Sequence, residues 1–242
     1  MIYDVFPVFN EIDIIRARIE EWAVVPDVQH IALESPVTYQ NDPKPMYITE
    51  ASLDLPRLTV LQVNPVLSDD AWVTERGQRD VGYNAIAAYN PAPTDLVIST
   101  DVDEILRASK FNELYGMAVH YERIRMHFRY HFANRMWVDA GDWVVGSAFL
   151  WANAPPSFSS FRHIGPDRAV DCYDAGWHMS WWGGEDRFHT KLDAFAHTEL
   201  DTQQWHDAGS QMIKDGFGFF DNKYLKYTGD PNDFPKGLPL TP

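Results

Sequence analysis

Three carboxylates follow an apolar stretch in LVISTDVDEIL, residues 96–106: Asp101, Asp103 and Glu104. Side chains two positions apart on an extended backbone face the same side, so Asp101 and Asp103 can point at one cation. Their hard oxygen atoms favour Mg²⁺ or Mn²⁺, ions that commonly bridge protein carboxylates to a diphosphate. The spacing therefore indicates a metal and diphosphate site, with Glu104 capping or bracing the turn. A strand end with a solvated turn or helix cap is the structural alternative.

A second pair of acids, Glu185 and Asp186, follows a Gly-Gly pair in GWHMSWWGGEDRFHTKLDAFAH, residues 176–197. Glycines allow a sharp turn into a helix, and the first turn of a helix favours acidic side chains electrostatically. Helix capping is one explanation of the pair, and catalysis is the other. The same segment contains aromatic side chains that can stack on sugar rings.

Arg76, Arg79 and Asp80 form a third cluster, in WVTERGQRD. A solvated helix face is the more common explanation of such charges. The cluster lies just before the Asp-x-Asp strand, however, where an arginine could reach the phosphates of a nucleotide.

Composition limits the kinds of protein that this chain of 242 residues can be. The net charge of −15 argues against extended contact with a nucleic-acid backbone, because such contact requires clustered lysines and arginines. No apolar run approaches the roughly 18 to 20 residues that span a bilayer, and the first residues lack the features of a signal peptide. The single cysteine, Cys172, leaves no internal disulfide and fits a reducing compartment. We expect a soluble, cytoplasmic protein.

The elements that must position these residues alternate over the first hundred positions. Strands are predicted at 2–9, 30–35, 57–63 and 95–100, and helices from residue 12, with Asn10 as the cap, and over 74–89. This alternation predicts βαβ units and a parallel sheet, in which ligands bind at the carboxyl ends of the strands. Later in the chain the pattern predicts long strands at 117–132 and 142–152, helices over 185–196 and about 203–214, and an extended tail from 231.

Five segments together resemble glycosyltransferase family 17, the family of the β-1,4-mannosyl-glycoprotein β-1,4-N-acetylglucosaminyltransferase. They are IYDVFPVFNEIDIIRARIEEW, HIALESPVTYQNDPKPMY, ERGQRD, VISTDVDEI and AGWHMSWWGGEDRFHTKLDAFAHTE. In this order they cover most of residues 2–200, whereas residues 110–170 and the C-terminal residues after 200 are less similar.

The resemblance implies an α/β protein with the GT-A glycosyltransferase fold, a mixed and mostly parallel sheet flanked by helices. It implies one domain over 1–242, with a Rossmann-like half, 1–105, for the nucleotide sugar and an acceptor-binding half with a C-terminal tail, 106–242. The donor would be a UDP-sugar, with UDP-GlcNAc expected, and the anomeric carbon would invert. The acceptor is left open between a glycan, a glycolipid, a protein and a modified nucleobase.

The resemblance also implies roles for single residues. Asp101 and Asp103 would bind Mn²⁺ or Mg²⁺, with His197 favoured to complete the metal shell. His178 would be either the alternative metal ligand or a hydrogen-bond donor to the diphosphate or the acceptor. Asp186 would deprotonate the acceptor hydroxyl, with Glu185 or Asp174 next in line. The donor would contact Asn10, Glu11, Glu34, Thr38, Lys44, Arg76, Arg79 and Asp101, and the acceptor would contact Trp177, Trp181 and Trp182.

Two rival functions fit parts of the sequence. A metal-dependent phosphatase or nucleotidyltransferase could use an Asp-x-Asp strand end, although haloacid-dehalogenase-type phosphatases carry that motif near the chain start. A non-catalytic sugar-binding module would explain the 14% aromatic content. The position of Asp-x-Asp after a βαβ half favours the transferase.

Overall fold

The computed structural model describes residues 1–64, 66–132, 135–136, 142–162, 165–215, 217–218, 223–224, 226–227 and 234–238. The strands are β1 (Ile2–Val8), β2 (Val28–Glu34), β3 (Leu58–Gln62), β4 (Leu96–Ser99), β5 (Glu104–Leu106), β6 (Ile124–Phe132), β7 (Arg135–Met136), β8 (Trp143–Leu150), β9 (Val170–Ser180), β10 (Phe217–Gly218), β11 (Lys223–Tyr224) and β12 (Lys226–Tyr227). The α-helices are α1 (Ile12–Glu21), α2 (Tyr47–Glu50), α3 (Ala71–Ala87), α4 (Phe111–His120), α5 (Gly184–Leu192) and α6 (Gln203–Asp215).

Four strands of the first hundred residues form a parallel part of the sheet, in the order β4-β1-β2-β3. β1 is buried along its whole length, and its alternate side chains face opposite layers. Phe6 packs in one apolar cluster with Ile14 and Ile15 of α1, whereas Val5 packs in another with Ile86 of α3. Helices therefore cover both faces of these strands, as the βαβ pattern predicts.

The second half continues the same sheet with mostly antiparallel strands. β8 runs antiparallel to both β4 and β6, and β6 pairs in parallel with the long strand β9. β5 follows the Asp-x-Asp turn directly and runs antiparallel to β9. The expected mixed α/β sheet flanked by helices is confirmed, although its described strand pairs are not mostly parallel, and the Asp-x-Asp turn lies where the two halves of the sheet meet.

The predicted strand over 117–132 is wrong in its first part, because α4 extends to His120 and β6 begins only at Ile124. Leu114 and Ala118, four positions apart, are the buried residues of α4, which is the spacing of an apolar helix face. The apolar residues from 117 onwards continue into the aromatic run of β6, and this continuity conceals the helical period.

Helix ends also differ from the predicted ones. Asn10 does not cap α1, because the N-cap residue is Glu11, whose Oε2 accepts a hydrogen bond from the backbone N–H of Phe9 at 3.0 Å. α3 begins before the predicted residue 74, since Asp70 caps it by accepting a hydrogen bond from the N–H of Trp72 at 3.0 Å. α5 ends at Leu192, before the predicted residue 196.

Two expectations concern the chain as a whole. Of the predicted extended tail, residues 231–233 and 239–242 lie outside the described residues. Among the described helices, each is too short or too polar to cross a bilayer.

Candidate active site

Arg18, a buried residue of α1, supports the Asp-x-Asp turn through hydrogen bonds. Its guanidinium donates hydrogen bonds to Thr100 Oγ1 at 2.7 Å and to the carbonyl oxygens of Asp101 at 3.1 Å and Glu104 at 2.8 Å. Asp4 of β1 balances this charge, accepting from Arg18 Nε at 2.8 Å. Burial would raise the pKa of Asp4, but the charge and hydrogen bonds of Arg18 lower it to about 2.

Asp101 accepts hydrogen bonds from two arginines. Arg79 of α3 donates to Oδ1 at 2.7 Å, and Arg162, which follows the 3₁₀ turn Ser159–Phe161, donates to Oδ2. Burial alone would raise the pKa of Asp101, but the charges of Arg162 and Arg79 outweigh it and hold that pKa well below its usual range. Asp101 is therefore ionised at neutral pH.

Glu104 is fully buried and braces the turn. Its carboxylate accepts hydrogen bonds from the N–H of Asp101 at 2.8 Å, from Trp143 Nε1 at 2.8 Å and from both terminal nitrogens of Arg162 at 2.7 and 3.0 Å. With these partners Glu104 fixes the backbone that carries the two aspartates.

Asp103 connects the turn to the second half of the protein. Lys191 of α5 donates to its Oδ2 at 3.0 Å, and His178 Nε2 of β9 lies 3.6 Å from its Oδ1. Burial would lower the pKa of Lys191, but Asp103 raises it, so the ammonium stays charged. Burial lowers the pKa of His178 more than Asp103 raises it, which leaves a neutral imidazole at pH 7.

Asp101, Asp103, Arg162, Lys191 and His178 line one cavity of about 250 Å³ between the two halves. Aromatic side chains form much of its remaining wall, and Lys191 Nζ lies 5.4 Å above the ring of Trp181. The lining residues are Pro7, Val8, Phe9, Glu11, Val37, Thr38, Tyr39, Lys44, Trp72, Glu75, Gln78, Asp101, Val102, Asp103, Trp143, Arg162, His178, Ser180, Trp181, Lys191, Ala194, Phe195, Ala196 and His197. Acids, bases and aromatic rings that converge in one cleft are typical of an active site.

A model of glycosyltransferase family 17 matches residues 1–217. The chain belongs to glycosyltransferase family 17. It is therefore a glycosyltransferase, the function that the sequence favoured over the phosphatase, nucleotidyltransferase and sugar-binding alternatives. No curated protein matches this glycosyltransferase.

Solved structures give distant likenesses to this glycosyltransferase. It is similar to 4-diphosphocytidyl-2C-methyl-D-erythritol synthase at 9% identity and a TM-score of 0.46, over 79% of this chain and 97% of the other. It is similar to S. aureus TarS 1–349 in complex with UDP-GlcNAc at 12% identity and a TM-score of 0.39, over 88% and 70%. Galactosyltransferase LgtC in complex with donor and acceptor sugar analogs is similar at 10% identity and a TM-score of 0.34, over 95% and 87%. The family match identifies the chain.

The cavity of the glycosyltransferase brings together many of the residues expected from the sequence. These are Glu11, Thr38, Lys44, Asp101, Asp103, His178, Trp181 and His197. Arg79 does not line the cavity but bonds to two residues that do, Asp101 and Glu75. Arg162, Lys191 and Arg18 were missed by sequence reasoning. Arg18 had a signal, since it interrupts the apolar residues of α1 that face the core.

Other expected residues lie outside the cavity lining. Glu34 is buried and accepts hydrogen bonds from the N–H groups of Ile48 and Thr49, at 2.8 and 2.9 Å, at the start of α2. Arg76 is exposed and lies 3.9 Å from Asp70. Trp177 and Trp182 lie in the apolar core beside α1. Asp174 pairs with Arg129 and Arg107. Asn10 and Glu185 also lie outside the lining. The side chain of Asp186 is outside the described part of the structure.

The oxygen and nitrogen atoms at the turn are of the chemical types that bind a divalent cation. Asp101 and Asp103 present carboxylate oxygens to the same cavity, and the neutral imidazole of His178 lies beside Asp103. The expected alternative, His197, lines the cavity too, but its Nδ1 bonds to Glu199 Oε1 at 2.6 Å. Within the described ranges, the group that brings three such ligand atoms within 4.8 Å of one another is a different one, made of Asp193, Asp201 and His206.

Proposed function

We propose that this glycosyltransferase transfers GlcNAc from UDP-GlcNAc to an acceptor hydroxyl with inversion, using a divalent cation. The observation that carries the proposal is the cavity in which Asp101 and Asp103 meet Arg162 and Lys191 at the edge of the parallel strands. Ligands of open α/β sheets bind at this edge, and clustered cations beside carboxylates suit a diphosphate with its metal. UDP and GlcNAc themselves come from the family resemblance.

The nucleoside end of the donor would lie against the first half of the chain. There, Pro7 to Phe9 at the end of β1 and Val37 to Tyr39 after β2 line the cavity. Lys44 Nζ lies 5.1 Å above the ring of Phe9, is shielded from solvent, and finds no hydrogen-bond partner among the described residues. A carbonyl or phosphate oxygen of the donor would satisfy it.

The phosphate end would lie at the Asp-x-Asp turn. Asp101 and Asp103 would hold Mn²⁺ or Mg²⁺, which when bound neutralises charge on the departing UDP. Arg162 and Lys191 are the cavity-lining cations that would orient the diphosphate, since both already lie within hydrogen-bond reach of those aspartates. The aromatic wall, with Trp72 and Trp181, would exclude water and pack on sugar.

Inversion requires one displacement. The acceptor oxygen attacks the anomeric carbon, the bond to UDP breaks, and the hydroxyl proton passes to a base. We assign that base to Asp186 in the first turn of α5, the helix whose Lys191 bonds to Asp103. Glu185, which is exposed, and Asp174 are the other candidates. The acceptor belongs to a glycan, a glycolipid, a protein or a modified nucleobase, and the net charge disfavours an extended nucleic acid.

A donor panel tests this function without an identified acceptor. The protein is incubated with UDP-GlcNAc, UDP-Glc or UDP-Gal, with Mn²⁺ or with EDTA, and released UDP and inorganic phosphate are measured. We expect slow, metal-dependent UDP release that is fastest with UDP-GlcNAc, because water can replace the acceptor. Equal release with EDTA would remove the metal from the proposal, and a faster rate with another sugar would replace GlcNAc.

A further inference from the structure

Both carboxylate oxygens of Asp101, a metal ligand in the proposed function, already bond to cations. Arg79 donates to Oδ1 and Arg162 donates to Oδ2. A divalent cation that binds Asp101 would therefore lie next to at least one guanidinium bonded to the same carboxylate, and the two positive charges would repel each other. The two arginines differ in how readily they can give up this contact.

Arg79 is the more firmly fixed of the two. It lies on α3, its side chain is 3% exposed, and it also bonds to Glu75 Oε1 one helical turn earlier, at 2.9 Å. It does not line the cavity. Releasing Asp101 would leave a buried guanidinium with an unfilled hydrogen-bond position, which is unfavourable.

Arg162 can release Asp101 at lower cost. It lines the cavity, and it keeps two hydrogen bonds to Glu104, at 2.7 and 3.0 Å, after its bond to Asp101 is broken. Its charge would stay paired, and the guanidinium would face the space where a diphosphate binds. Of the two arginines, Arg162 is therefore the one that would release Asp101 to a divalent cation.

The charge balance around the turn determines when Arg162 releases Asp101. The ion pairs around the turn contain four carboxylates, Asp101, Asp103, Glu104 and Glu75, and three cations, Arg79, Arg162 and Lys191. This leaves a net charge of about −1 in a largely buried cluster, which a divalent cation alone would invert to about +1. A divalent cation that enters with the dianionic diphosphate of a nucleotide sugar leaves the balance unchanged.

We propose that Arg162 holds Oδ2 of Asp101 before the donor binds and releases it only when a divalent cation arrives together with the diphosphate of a nucleotide. Arg162 then stays on Glu104 and donates to the diphosphate. This inference rests on the proposed function, and it makes Arg162 a residue that suppresses metal binding in the absence of the donor.

The test is Mn²⁺ binding without catalysis, measured from the loss of the free Mn²⁺ signal in electron paramagnetic resonance. The wild type is titrated with and without UDP, with protein-free UDP as the blank. We expect the wild type to bind Mn²⁺ much more weakly without UDP than with it. Arg162→Gln should bind Mn²⁺ without UDP about tenfold or more tightly than the wild type, because the competing charge is gone. Arg162→Lys should bind it less tightly than Arg162→Gln, since it keeps a cation.

The matched control is Arg16→Gln, which removes the same charge from an exposed position on α1 and should leave Mn²⁺ binding as in the wild type. A purely structural role for Arg162 would weaken Mn²⁺ binding in Arg162→Gln or leave it unchanged, and either result overturns the inference. Equal binding by the wild type with and without UDP also overturns it, while the proposed function stands. If the wild type binds neither Mn²⁺ nor UDP in any combination, the proposed function itself fails.

Discussion

At the scale of single residues, the site is a set of carboxylates whose charge is balanced by cations from distant parts of the chain. Arg18 pairs with Asp4 and bonds to the backbone of the Asp-x-Asp turn, so its charge serves the turn without lining the cavity. Arg162 and Lys191 do line the cavity and act on Asp101 and Asp103 directly. Arg18 thus supports the backbone of the turn, whereas Arg162 and Lys191 face the cavity.

The assignment of the catalytic base can be tested by replacing one carboxylate oxygen with an amide nitrogen. Asp186→Asn should bind UDP with Mn²⁺ as the wild type does, while UDP-GlcNAc turnover falls by about 10²-fold to 10⁴-fold, because the proton acceptor is lost. Glu185→Gln, which changes the neighbouring exposed acid, serves as the control and should retain activity. The measurement is UDP release, with calorimetric titration of UDP for binding. Normal turnover in Asp186→Asn would assign the base to another acid.

The Asp4 and Arg18 pair predicts a pH dependence of stability. The pKa of Asp4 is lowered from 3.8 to about 2 in the folded protein, so its contribution is complete above the unfolded value and is lost as pH falls towards 2. The free energy of unfolding should lose about 2 kcal/mol from this pair over that range. The double variant Asp4→Asn/Arg18→Met should lack this part of the decline. Urea denaturation at pH 2 to 5 measures it, and parallel curves for both proteins would contradict the assignment.

At the scale of elements, α5 positions Lys191 and is itself positioned by α6. The packing depends on Gly209 of α6, where a Cβ would lie 1.9 Å from Cε1 of Phe188 in α5. β9 has a similar close approach, since a Cβ at Gly176 would lie 2.0 Å from the carbonyl oxygen of Ile105 in β5. The two glycines therefore let α6 approach the Phe188 ring of α5 and let β9 approach the backbone of β5.

Gly209→Ala should move α5 relative to the turn. We expect a loss of about 1 to 3 kcal/mol in the free energy of unfolding, because the overlap outweighs the higher helix propensity of alanine. Binding of UDP with Mn²⁺ should weaken as well, because Lys191 shifts. Gly116→Ala is the control: no atom lies within 4 Å of its Cβ position in α4, so it should gain about 0.5 to 1 kcal/mol. Equal stability of the two variants would show that α5 does not depend on this contact.

Most elements of the first hundred residues could be predicted, because the period of the apolar residues and the positions of the helix- and strand-breaking residues indicate the same elements there. β4 is a buried apolar run and α3 has a helical pattern, although its capping residue, Asp70, lies before the predicted start at residue 74. The helix α4 could not be predicted in the same way, since its apolar face is narrow and runs into the aromatic strand β6. Local pattern fails where two elements of different period join without a break.

At the scale of the whole molecule, an acidic protein brings cationic side chains together with carboxylates in one cavity. The net charge is −15, yet Arg162, Lys191 and Lys44 line the same cavity. The acids were predictable from their spacing of two at a strand end. Their partners were not, because Arg162 and Lys191 lie 61 and 88 positions from Asp101 and Asp103, and only the fold brings them together.

Ligand binding at this junction should stabilise the whole molecule, because residues from both halves line the cavity. At a concentration of about 100 times Kd, UDP with Mn²⁺ should add about 2.7 kcal/mol to the free energy of unfolding. A chain of this size should then melt roughly 5 to 10 °C higher. Differential scanning fluorimetry measures the shift, and ATP with Mn²⁺ is the control for nucleotide in general. The same shift with ATP would contradict recognition of UDP.

The central claim is that the Asp-x-Asp turn binds the diphosphate through a divalent cation. Its most direct test is calorimetric titration of UDP-GlcNAc, with Mn²⁺ present, into the wild type, Asp103→Asn and Asp54→Asn. Asp54 is an exposed acid outside the cavity lining, so its variant should bind like the wild type. Asp103→Asn should bind about tenfold or more weakly, because a charged metal ligand is lost. Unchanged binding by Asp103→Asn would contradict the account.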